Sequence, residues 1–61
     1  MNNKERFIKI YANLPVNLRN EIIAVLPEIG PITWNVAYLE ISNNTELGKQ
    51  ILVKLSDFKI I

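Results

Sequence analysis

Apolar residues recur at helical spacing near the start of the chain. Phe7, Ile10, Tyr11 and Leu14 fall on one face, Ile8 widens it, and Arg6, Lys9 and Asn13 form the polar back. That spacing predicts a helix over residues 3 to 13, with Asn2 or Asn3 as its N-cap. Pro15 interrupts the pattern and suits the first turn of a new helix. Leu18, Ile22, Val25 and Leu26 then share a face, with Ile23 beside them and Asn17, Asn20 and Glu21 pointing away. Arg19 lies at the border, where its stem can pack while the guanidinium reaches water. Residues 15 to 26 therefore read as a second helix, folding back on the first as an αα-hairpin.

A third stripe, Leu47, Ile51, Leu55 and Phe58 with Leu52 beside it, predicts a last helix from a Thr45 cap to about Leu55. Glu46 in its first turn and Lys49 and Lys54 further along suit the helix dipole. Gly48 costs about 1 kcal/mol in a helix relative to alanine, so a close crossing with another helix is expected there. Val53 lies on the outer side, beside Lys49.

Between the two halves, Pro27-Glu28-Ile29-Gly30-Pro31 cannot continue a helix. It leads into the densest apolar run, Ile32 to Ile41. As a helix, capped by Thr33 and stopped by Ser42-Asn43-Asn44, this run is apolar on two sides. Ile32, Val36 and Leu39 take one arc, while Trp34, Ala37, Tyr38 and Ile41 take the other. As a strand, Ile32, Trp34, Val36 and Tyr38 alternate with their neighbours, but only the tail Phe58 to Ile61 offers a sheet partner. The fold expected is a single all-α domain over residues 1–61, of three to four short helices with an N-terminal αα-hairpin. The alternative is α+β with residues 32–39 as a strand.

Size sharpens the picture. A chain of 61 residues buries only about 60 % of its unfolded surface. At that length hydrophobic gain nearly cancels an ordering cost of about 1.5 kcal/mol per residue. Small folds meet this with disulfides, a metal or self-association. Cysteine and histidine are both absent, which leaves no disulfide, no thiolate or imidazole metal site, and no cofactor to expect. Self-association remains, and a hydrophobic share of 49 % with mean hydropathy +0.13 agrees with it. A homo-oligomer is expected, a dimer first, or else another protein as partner. Trp34, Tyr38, Ile41, Val53, Ile60 and Ile61 are the candidate interface: the aromatic pair shares a helical face with Ile41, and an Ile-Ile ending needs cover.

Chemistry is sparse. Glu5, Glu21, Glu28, Glu40, Glu46 and Asp57 are spread singly, and Ser42 and Ser56 fall in predicted turns, so catalysis is not expected. Glu40 stands out because it sits in the apolar run, where it pairs or faces solvent. One glycine in 27–31 makes no phosphate loop. Asn43-Asn44-Thr45 matches a glycosylation sequon, but the start shows no secretory h-region and no run is long enough to span a membrane. The chain reads as cytoplasmic, and the sequon as a turn and cap.

The expected function is a non-catalytic interaction and assembly module that self-associates through a shared apolar core. The alternative is a small helical nucleic-acid-binding protein using Lys4, Arg6, Lys9 and Arg19, or Lys49 and Lys54. The net charge of +1 neither suggests nor excludes that. The ending Asp57-Phe58-Lys59-Ile60-Ile61 after a helix resembles the close of a recognition helix in winged-helix DNA-binding domains. It is a short match of common residues, and it assigns no family. A site assembled between subunits, for catalysis or for a ligand, is the third possibility.

Overall fold

The computed structural model describes residues 2–61. Helix α1 spans Asn3–Ala12, and a single 3-10 turn covers Val16–Leu18. Strands β1 (Ile22–Leu26) and β2 (Gly30–Thr33) form an antiparallel hairpin, followed by helices α2 (Trp34–Ser42) and α3 (Glu46–Asp57). The fold is α+β, which overturns the all-α expectation, and the stated alternative gives the right class. Its strand is nonetheless shorter and earlier than 32–39. Only Ile32 and Thr33 of the apolar run lie in β2, and from Trp34 onward the run is helical.

The αα-hairpin is the larger correction. Residues 15 to 26 hold no α-helix, because Ile22-Ile23-Ala24-Val25-Leu26 pairs with Gly30–Thr33 instead. Three of those five residues are β-branched, which suits a strand and weakens a helix. Pro27 would also end any helix after so few turns. Residues 27 to 29 form the hairpin turn, where Ile29 N–H donates to the Leu26 carbonyl at 3.2 Å. Gly30 follows with φ +99°, a conformation that a side chain would disfavour. A bulge between Ile22 and Ala24 shifts the register, leaving Ala24 opposite Ile32 and Leu26 opposite Gly30.

One face of the hairpin closes on the helices. Ala24, Leu26 and Ile32 join Phe7 of α1, Ala37 and Ile41 of α2, and Ile51 and Leu55 of α3 in the core. The helix ends follow the sequence signals. Asn2, Thr33 and Thr45 each cap a helix, accepting from the backbone N–H of Glu5, Val36 and Gly48 respectively. Helix α2 ends with Asn44 at φ +57°, with Asn44 N–H donating to the Ile41 carbonyl and Thr45 N–H to Glu40. Lys59, at φ +58°, closes α3 in the same pattern, with Lys59 and Ile60 donating to Ser56 and Leu55. Thr45 thus finishes one helix and caps the next, which sets α2 and α3 at a fixed corner.

Candidate functional site

Trp34 and Tyr38 stand four residues apart on α2, and Phe7 and Tyr11 stand four apart on α1. The two pairs interleave. Trp34 stacks on Phe7 with ring centroids 5.8 Å apart, and Tyr38 stacks on Tyr11 at 4.2 Å with planes 11° from parallel. Phe7 and Tyr11 are themselves 6.3 Å apart. The Arg19 guanidinium lies 4.5 Å from the Tyr11 centroid. A ring has two faces, so Tyr11 is held between Tyr38 and Arg19.

Polar groups close the same seam. The Tyr11 hydroxyl donates to Asn35 Oδ1 at 2.7 Å, and Asn35 Nδ2 donates to Asn20 Oδ1 at 2.8 Å. The Asn35 backbone N–H donates to the Arg19 carbonyl at 3.0 Å, and an Arg19 N–H reaches the Tyr11 carbonyl at 3.4 Å. This network fixes the segment before β1 between the two helices. It also employs Arg19, one of the cations available for a phosphate backbone, while Lys4 donates to Asn44 at 2.9 Å.

The six candidate interface residues therefore have separate fates. Ile41 lies in the core with 1 % of its surface exposed. Trp34 is half-buried against Phe7, and Tyr38 retains 36 % exposure beside Tyr11. Val53 is exposed on α3, Ile60 is exposed after it, and Ile61 is half-buried against the core. Both aromatics are thus engaged within the protomer.

Further free apolar surface lies beyond these six residues, at Val16 and Phe58 among others. On the hairpin, Ile22, Val25 and Ile29 are exposed; on α2, Val36 and Leu39 are. Val36 and Leu39 are the outer arc of the two-sided helix that the sequence predicts. Ile22 and Val25 are residues that a helical reading turns inward. Period-two alternation over Ala24-Val25-Leu26 is the signal that locates Val25.

Chemistry finds little to act with. The half-buried Glu40 accepts from the Thr45 hydroxyl at 2.7 Å, so the one carboxylate in the apolar run serves the α2–α3 corner. The Ser42 hydroxyl donates to the Leu39 carbonyl at 3.2 Å. Among the described residues no three acidic, histidine or cysteine side chains converge on one point. A depression of about 240 Å³ lies between the hairpin turn and Gln50, lined by Leu26, Pro27, Glu28 and Ile29. It is below the roughly 300–1,000 Å³ of typical ligand pockets and offers a single carboxylate. No described helix is long and apolar enough to cross a membrane.

Compared with known proteins, the chain matches no family model, no curated protein and no solved structure.

Proposed function

We propose that this protein is a non-catalytic assembly module that associates with a second copy of itself through apolar surface. One observation carries the reading: the large apolar side chains of Ile22, Val25 and Ile29 remain exposed on the hairpin, while the core includes two alanines among its few members. Fully burying a Val, Leu or Ile side chain contributes about 1.5–3 kcal/mol. These side chains are already partly covered, so several of them together yield a gain comparable with the low end of the association cost of about 4–15 kcal/mol. The balance supports a dimer of modest strength. For a chain this small, burial against a copy also stabilises the fold through mass action.

Equilibrium sedimentation across the micromolar range tests the reading. A mass that rises from one chain toward two with concentration is expected, accompanied by thermal stability that rises with concentration. A folded protein that keeps the mass of a single chain at every concentration would overturn it.

A further inference from the structure

The geometry points to the outer edge of β1, centred on Val25, as the surface through which two copies pair, antiparallel about a two-fold axis. The inference rests on the self-association proposed above and assigns its site.

Val25 sits opposite Pro31 in the hairpin. Proline has no N–H, so these two residues cannot exchange the mutual bonds of a bonded pair. In an antiparallel ladder the residues of a non-bonded pair aim their N–H and C=O away from the partner strand. Val25 therefore presents a donor and an acceptor at the free edge of β1. Neither makes a backbone bond outside the β1–β2 ladder. At the equivalent place on the free edge of β2 stands Pro31 itself, which has no donor to offer. One pair thus leaves one edge able to accept a strand and blocks the other.

The occupant that fits is a second copy. Around a two-fold axis at Val25, each Val25 N–H meets the other chain's Val25 C=O, so the donor and acceptor that Val25 presents satisfy each other. Ala24 then faces the partner copy's Leu26. No charged residue lies on β1, so self-pairing sets no like charges directly opposite on the strand. With only one competent edge per chain, the assembly closes at two copies and cannot extend into a fibre.

Area sets the strength. A standard interface covers about 800 Å² per partner, roughly a fifth of this chain's 4100 Å². The bulge at Ile22/Ala24 and Pro27 confine the regular edge to Ala24–Leu26, about 10 Å of strand. The contact must therefore draw on exposed Ile22 and Ile29 of the same hairpin, and the dimer belongs to the small, weakly bound class.

The test compares the dissociation constants of wild type, Val25→Lys, Val25→Pro and Leu39→Lys by equilibrium sedimentation, with circular dichroism to confirm folding. Val25 is 61 % exposed, so lysine fits the folded monomer, and proline there removes the same donor that Pro31 lacks. Both Val25 variants are expected to weaken the dimer at least about tenfold, while Leu39→Lys leaves it near wild type. Should Val25→Pro fail to fold, Val25→Lys decides. Val25 variants that dimerise like wild type, or a loss matched by Leu39→Lys, overturn the edge assignment and leave self-association standing. A wild-type chain that stays monomeric overturns both.

Discussion

Gly48 of α3 lies against the Glu40 carbonyl of α2. A Cβ on Gly48 would overlap the Glu40 carbonyl oxygen, sit 2.7 Å from its carbon and reach 2.9 Å from Ile41 Cα. All three are backbone atoms that cannot swing aside. The missing side chain lets the two helices cross at the corner that Thr45 closes.

Gly48→Ala is therefore expected to destabilise the protein, although alanine favours a helix by about 1 kcal/mol. Overpacking against rigid neighbours costs typically about 1–3 kcal/mol, and here the neighbours are main chain. Urea denaturation followed by circular dichroism measures the sign. A variant more stable than wild type would show that the crossing relaxes freely.

Thr45 carries three duties: it accepts from Gly48 N–H at 2.9 Å, donates to Glu40 Oε1 at 2.7 Å, and donates its backbone N–H to the Glu40 carbonyl at 3.2 Å. Thr45→Ala removes the first two and is expected to cost about 1–2 kcal/mol. Thr45→Ser keeps the hydroxyl and should recover most of that loss. Equal losses from the two substitutions would assign the effect to the methyl group.

Phe7 is fully buried and stacked on both Trp34 and Tyr11. Truncating a buried Phe to Ala costs about 3–5 kcal/mol, while a single core of this size rarely supplies more than about 3–5 kcal/mol in total. Phe7→Ala should leave the monomer largely unfolded, with loss of far-ultraviolet helical signal at room temperature. Leu39→Ala removes a side chain that is 57 % exposed and should change stability by less than about 0.5 kcal/mol. A folded Phe7→Ala protein would show that the aromatic seam is dispensable.

Lys59 holds a left-handed conformation at the end of α3. A non-glycine residue there is strained by about 1–2 kcal/mol, part of which glycine returns as greater freedom in the unfolded chain. Lys59→Gly is expected to raise the thermal midpoint by a few degrees. A lowered midpoint would show that the lysine side chain contributes more than the strain it imposes.

The helix termini were legible because their causes are local. Asn2, Thr33 and Thr45 cap with their own side chains, and Asn44 tolerates the left-handed turn, so neighbouring residues suffice to place α1 and α3, and to bound α2 once its run is taken as a helix. Gly48 announced the crossing as a helix position where a glycine has no local reason to be. The spacing Trp34, Ala37, Tyr38 and Ile41 marked one arc of α2 as a unit, and Val36 and Leu39 as the other. Trp34, Tyr38 and Ile41 were visible as candidate interface residues, but their environment was not.

Tertiary structure decided the rest. Leu18, Ile22, Val25 and Leu26 satisfy a helical face, while Ala24-Val25-Leu26 satisfies a strand equally well. Only the pairing with Gly30–Thr33, across a turn that reads as a break, chooses between them. That partner is hard to see from composition, since glycine and proline are poor strand formers except at an edge. Choosing the strand turned Val25 from an inward residue into a free edge. Packing α1 against α2 likewise drew Trp34 and Tyr38 into the protomer, because Phe7 and Tyr11 offered them rings at matching spacing. A side chain's identity and its near neighbours govern caps and turns; which surface is left uncovered depends on every other element, and only the folded chain determines it.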